Sequence, residues 1–358
     1  MRYIKSGRKL FLNSVLQMIK NNPMVLAIDV GASKISGAIV DRNLKIVHKD
    51  LKASRDSVTG LADQNLDRTK KMIKTLHVIA NNEDISIFSA AAGFPEYVDL
   101  AGNLTSKDQI DWQIQPSLDF SQILPVPWTI QSDVRCAGIA EARLGSGKNE
   151  SDFVYITIST GISHTHFIGG KPISGFDGRA IGFGVIEIDT GSEIAPLENF
   201  SSGLGIARRY SAITGDTNIN ANSLFADFKS NSLAREIIES AAAILGREIA
   251  IFGNSLPTKV IVIGGGLWMG SEIYRNLVLT SFQKISKEEA ASIVANTNVK
   301  ICMKLEDPTE TFDLFNKIAG ETYMTNVSGF QVNSGSMTTN YSDSRNASID
   351  RKSRIDLL

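Results

Sequence analysis

The sequence predicts an α/β protein of two domains, and three observations carry that expectation. At 358 residues the chain is long enough for two domains of about 150 residues each. Each half runs through strand–turn–strand units and then into helices, a change of hydrophobic period from two to about 3.6. A glycine-containing turn stands at the tip of a strand in both halves. The repetition is one of architecture, without a strict sequence repeat.

In the first half, "MVLAIDV", "KISGAIVD" and "LKIVHKDL" read as three successive strands beginning at Met24. Over 60–80, Leu61, Leu66, Met72, Ile73, Leu76 and Ile79 recur at helical spacing, which predicts a helix. "ISIFSAAAGF" follows as a buried strand bounded by Gly93 and Pro95. "VPWTIQSD" is the next strand, and "VRCAGIAEARLG" a helix stopped by Gly145. The second half continues with strands "DFVYITIS", "GISHTHFIGG" and "KPISG", then helices at about 201–212 and 232–255. "KVIVIGGGL" runs from a strand into a glycine triplet, and a helix near 270–284 closes the series. From about Phe330 the chain is rich in Ser, Asn and Thr. Such a segment buries too little apolar surface to offset its chain entropy, so a disordered tail is expected over 321–358.

Composition narrows the function. A hydrophobic fraction of 42% and a charged fraction of 21% describe an ordinary globular protein. The net charge of −1 argues against a nucleic-acid surface, which carries a basic excess. Cys136 and Cys302 are the two cysteines, too few for a disulfide framework or a cysteine-rich zinc site, and a reducing cytoplasm is expected. No apolar run approaches the ~20 residues a bilayer span needs. The piece before Met24 is basic and has neither a long apolar stretch nor a small-residue cleavage site, so it reads as an N-terminal extension (1–23) and not as a signal peptide. Met24 is a second candidate start.

Four stretches carry candidate chemistry. In "AIDVGASKISGAIVD", Asp29 ends an apolar run and Gly31 opens a turn. A tight hairpin accounts for that pattern. So does a phosphate cradle, in which turn amides face an anion and the Asp29 carboxylate holds the hydrated metal accompanying it. In "IQSDVRCAGIAEARLG", Asp133 stands between a strand and a helix, where an aspartate is also a good N-cap. Thr160-Gly161 joins two strands as a second such turn would, and Gly264, Gly265 and Gly266 leave room for flat contact with a base. His164 and His166 share one face of a strand. With no cysteine or acid beside them in sequence, substrate contact by one of them or packing is expected before metal binding.

In this order the stretches resemble the actin/hexokinase/Hsp70-type ATPases, and within them the ROK family of bacterial sugar kinases and related repressors. "IDVGASKISGAIVD", "AAGFP", "SDVRCAGIAEARLGSG", "FVYITISTGI", "GGKPISG" and "VIVIGGGL" carry the resemblance, which spans about residues 24–320. It implies an actin-like, ribonuclease-H-like fold whose two α/β domains close on ATP and a sugar in an interdomain cleft. It implies phosphoryl transfer with ATP and Mg²⁺, chemistry governed by positioning and charge. By motif, Asp133 is the general base that takes the acceptor hydroxyl's proton. Asp29 holds Mg²⁺ through water. Gly31, Ser33, Lys34, Thr160 and Gly161 cradle phosphates, and Gly264, Gly265 and Gly266 border the adenine. Gly93, Glu96, Ser132, His164 and Glu198 would line the acceptor. A homodimer follows from the same resemblance.

The departures from the family pattern are specific. Ser132 replaces the sugar-gripping asparagine, and Glu96 replaces a glycine in "GxPG". Gly182 and Val185 stand where a glutamate and a histidine bind sugar hydroxyls. The family's zinc motif is missing, so no zinc site is expected, and only Glu198 remains of its "GCxE" element. A site stripped of hydrogen-bonding partners loses discrimination, which points away from common hexoses. The "TGIS" variant resembles a branch that includes kinases of C7-cyclitols. The sequence therefore predicts an ATP-dependent sugar or cyclitol kinase, with a non-catalytic nucleotide- or sugar-binding sensor as the alternative. A repressor is set aside, because 23 residues cannot hold a DNA-binding domain. The expected division is 24–131 as the small domain, with a possible contribution from a helix near 309–320, and 132–308 as the large one. No nucleic-acid or membrane partner is expected.

Overall fold

The computed structural model of the chain describes residues 23–31, 34–54, 65–256, 258, 260–289, 298–301, 321–327 and 347–353. The chain divides into two compact units, residues 1–303 and 304–358.

The larger unit holds two five-stranded sheets with one topology. In the first, β1 (Met24–Val30), β2 (Lys34–Val40) and β3 (Ile46–Ala53) form an antiparallel meander. Helix α1 (Asn65–Asn82) then leads to β4 (Ile87–Phe94), which pairs parallel to β1. The short α2 (Pro116–Ser121) precedes β5 (Trp128–Ser132), parallel to β4, for a spatial order β3-β2-β1-β4-β5. Leu26, Ile28 and Val30 alternate along β1 into a core shared with Ile35, Ile39 and the α1 residues Met72, Ile73 and Leu76. That alternation buries one set of side chains and sends Asp29 to the other face.

Helix α3 (Asp133–Leu144) leads from β5 to the second sheet. There β6 (Phe153–Ile158), β7 (Ile162–Ile168) and β8 (Lys171–Pro172) repeat the meander. A small hairpin, β9 (Glu187–Asp189) with β10 (Ile194–Pro196), precedes helices α4 (Leu197–Ser201), α5 (Gly203–Thr214), α6 (Ala221–Ala226) and α7 (Ser232–Ser255). Strand β11 (Val260–Gly264) pairs parallel to β6 and is followed by α8 (Gly266–Gly270), α9 (Glu272–Glu289) and β12 (Asn298–Ile301). The order β12-β11-β6-β7-β8 matches the first sheet strand for strand. Every residue of β11 is buried, as expected of a strand covered on both faces. On one face Val154, Ile156 and Ile263 pack with α7 residues such as Ala241 and Leu245; on the other, Tyr155, Phe167 and Val262 pack with Val134 of α3. Among the described residues no helix is long and apolar enough to cross a membrane.

The smaller unit contains β13 (Glu321–Val327) paired antiparallel with β14 (Ala347–Ser353). These strands lie within the segment whose composition predicts a disordered tail. An antiparallel ladder satisfies backbone groups whatever the side-chain polarity, and "ETYMTNV" mixes Thr, Tyr and Val, which favour strands. The expected helix near 309–320, residues 1–22 and Ser33 lie outside the described residues.

Candidate active site

Parallel pairing brings three of the sequence-derived residues to one end of the first sheet. Asp29 of β1 is in register with Gly93 of β4, Gly93 with Gln131 of β5, and Phe94 with Ser132. Asp133 follows as the first residue of α3. A Cβ on Gly93 would lie 3.4 Å from the Cys136 sulfur, 3.6 Å from the Asp133 Cα and 3.9 Å from Asp29 Oδ1. The two carboxylate-bearing residues thus flank a glycine that keeps the space between them open.

Asp133 is not the N-cap. Ser132 holds that position with extended backbone, and its hydroxyl makes no capping bond. Asp133 Oδ1 accepts from the Val134 N–H at 2.6 Å, which orients the carboxylate at the helix start. The turn after β1 is closed by Gly31 N–H donating to the Lys34 carbonyl at 2.9 Å, and a Cβ on Gly31 would meet that same oxygen at 2.9 Å. Lys34 is exposed at the start of β2.

The second sheet supplies the matching turn. Ser159 N–H donates to the Gly161 carbonyl at 2.9 Å, and α5 fastens the turn from behind through Gly203 N–H to Ser159 O (2.9 Å) and Leu204 N–H to Thr160 O (3.2 Å). Glu198 of α4 reaches the same place. Its Oε2 accepts from Ile162 N–H at 3.3 Å and would lie 2.9 Å from a Cβ on Gly161 and 3.2 Å from one on Gly184. Gly184 sits so close to the Ile162 carbonyl oxygen that its Cβ would be 1.9 Å away. The glycine triplet after β11 abuts this turn as well. Gly265 has φ of +100° and a Cβ there would lie 2.5 Å from Ile158 O, so both backbone angle and space demand glycine. Gly266 would place a Cβ 3.3 Å from the Ser159 hydroxyl.

Two expected acceptor residues have other surroundings. Glu96 is 2% exposed, and its carboxylate accepts from the Ser106 hydroxyl and from the amides of Asp108 (3.0 Å), Gln109 (2.7 Å) and Ile110 (2.7 Å). Three consecutive amides form a concavity that suits an anion, and a glutamate from the chain itself fills it. The expected acceptor residue is therefore a loop anchor. Ser132 is fully buried, and its hydroxyl has no partner among the described residues.

His164 accepts the Phe183 N–H on Nδ1 at 3.1 Å, and its ring meets Phe252 edge-on at 4.8 Å between centroids. Burial holds its pKa down at about 4, so the imidazole is neutral at pH 7. His166, its neighbour on the same face, is 6% exposed with Nε2 unpartnered among the described residues. Sequence reasoning missed Arg135, a buried cation in the first turn of α3. Its signal was a lone arginine between Val134 and Cys136 on a helix that packs against a sheet.

Residues 25–303 match the ROK family. The chain belongs to the ROK family. A β-glucoside kinase of Listeria innocua is 27% identical over 259 residues, 68% of this chain and 82% of that protein. The ROK family glucokinase of Streptomyces griseus, solved with glucose and AMPPNP, superposes with a TM-score of 0.62 at 18% identity, over 78% of this chain and 94% of that one. That likeness shows the ROK version of the actin-like ATPase fold. A shorter stretch is similar to a different protein, the type 4 coupling protein DotL of Legionella pneumophila, 56% identical over 88 residues. It covers 25% of this chain, and the chain spans 11% of that protein's length.

Proposed function

We propose that this ROK protein is an ATP-dependent kinase that transfers the γ-phosphate to a hydroxyl of a sugar or sugar-like cyclitol, with Asp133 as general base. The observation that carries this reading is the convergence of Asp29, Gly93 and Asp133 at the carboxyl ends of parallel β1, β4 and β5, where open α/β sheets bind ligands. Family membership supports it. Asp133 accepts the proton of the acceptor hydroxyl as its oxygen bonds to the γ-phosphorus, and the bond to the bridging oxygen breaks to release ADP. Glycines at 31, 161 and 264–266 let backbone approach phosphates and adenine closely, with Lys34 and Thr160 at the same turns.

The residues fit Mg²⁺. Asp29 offers the hard oxygen donor that Mg²⁺ prefers. A site with one protein carboxylate leaves the remaining positions to water and phosphate, the usual arrangement for this ion. When bound, Mg²⁺ supplies charge neutralisation at the β- and γ-phosphates. The same reading takes the protein as cytoplasmic and homodimeric.

A non-catalytic nucleotide- or sugar-binding sensor is the second reading, and one observation favours it. Glu96 bonds to its own loop and Ser132 is enclosed, which supports a site with fewer side chains turned to an acceptor. A coupled assay of ADP release over a panel of hexoses, N-acetylhexosamines, glycosides and cyclitols separates the two. Acceptor-dependent ADP release supports the kinase. Nucleotide binding by calorimetry, with no acceptor-dependent release across the panel, supports the sensor.

A further inference from the structure

Arg135 lies two residues beyond Asp133, and the phosphoryl-transfer reading does not use it. The side chain is 1% exposed. Its Nη1 donates to the Val98 carbonyl and to Gln131 Oε1, both at 2.8 Å. Its Nη2 donates to the carbonyls of Ser174 at 3.0 Å and Gly178 at 2.5 Å. Val98 follows β4 and Gln131 belongs to β5, both of the first sheet; Ser174 and Gly178 lie in the loop after β8 of the second. One guanidinium therefore ties segments of both sheets to the first turn of α3.

Arginine suits this position because its planar fork presents several donors in fixed directions, whereas lysine offers one compact ammonium. A buried charge is costly unless hydrogen-bonded; four oxygens take bonds from Nη1 and Nη2, while Nε has no partner among the described residues. The seam continues beside it. Thr105 Oγ1 donates to Asp177 O at 2.6 Å, and the Arg179 guanidinium lies 5.1 Å from the Tyr97 ring centroid. A Cβ on Gly178 would stand 2.2 Å from Val98 O, so the two loops are in backbone contact.

We propose that Arg135 is a positioning residue that locks the loops 97–105 and 174–179 to the start of α3, and so holds Asp133 in register with both sheets. The packing part of this inference stands by itself, and its effect on rate rests on the kinase reading. Arg135→Met and Arg135→Lys in the full chain test it by amide hydrogen exchange, with turnover alongside. In both variants the two loops and residues 133–137 should lose protection together, while β6 and β11 keep theirs. With an accepted acceptor, turnover should fall roughly 10²-fold in Arg135→Met, the scale of a misplaced catalytic group. The KM for ATP should stay within about twofold, and Arg135→Lys should recover part of the rate. Should the methionine variant fail to fold, the lysine variant decides on the same readout. Loss of protection in one loop only, in neither, or evenly across both sheets overturns the proposal. If the wild-type chain phosphorylates no acceptor, the kinase reading fails and the exchange pattern still judges the lock.

Discussion

The Cα of Asp133 lies 3.6 Å from the point where a Cβ on Gly93 would project, and Asp29 Oδ1 lies 3.9 Å from it. Gly93 thus marks the gap between the two carboxylate-bearing residues. Both are ordinary contacts, as is the 3.4 Å to the Cys136 sulfur, so Gly93→Ala should fold with a melting temperature within a few degrees of wild type. The added methyl should narrow the gap and slow any acceptor phosphorylation tenfold or more, since small misplacements at a reacting centre are costly. Unchanged kinetics with a bulky acceptor would show that substrate does not enter between Asp29 and Asp133.

Asp133→Asn separates base from scaffold. Asparagine keeps an oxygen able to accept the Val134 N–H, so the start of α3 should persist and ATP affinity should barely change. Turnover should fall roughly 10²–10⁴-fold, the usual worth of a positioned general base. Full activity against the true acceptor would remove Asp133 from the mechanism.

Gly184→Ala tests the turn beside Glu198. Its Cβ would lie 1.9 Å from the Ile162 carbonyl oxygen, and backbone cannot yield cheaply. Overpacking of this kind costs about 1–3 kcal/mol or more, readable by chemical denaturation. Gly270→Ala is the control, because nothing lies within 4 Å of its Cβ position. Equal stability in the two variants would contradict the close approach of Gly184 to the Ile162 carbonyl.

His164 sets a pH dependence. Its pKa in the fold is about 4, depressed from 6.5 by burial, so folding favours the neutral ring. That contribution is complete above about pH 6.5 and is lost as pH falls toward and through 4. At 1.36 kcal/mol per pH unit, the full span is on the order of 3 kcal/mol. Denaturation of wild type and His164→Gln between pH 7 and pH 4 should show wild type losing more stability. Parallel curves would mean that the ring titrates normally.

Metal content gives a further check. Without the family's cysteine motif, the purified protein should carry no stoichiometric zinc. Elemental analysis finding about one tightly held zinc per chain would overturn the reading of residues 182–200.

Local chemistry made much of this protein legible in its sequence. Alternating apolar residues in "MVLAIDV", helical spacing across 232–255 and glycine turns at strand tips each depend on neighbours a few residues away, and the structure has those elements in place. The same holds for the candidate site where position alone decides, as with Asp29 and Asp133 at the ends of parallel strands. What tertiary structure decided depends on distant partners. Glu96 looks like an acceptor residue until three amides fourteen or fewer residues downstream close around it. Arg135 looks like a surface charge on a helix until carbonyls from the loops after β4 and β8 surround it. A side chain's type is written in the sequence, but whether its hydrogen bonds go to substrate or to the fold is set by which groups arrive beside it when both sheets form.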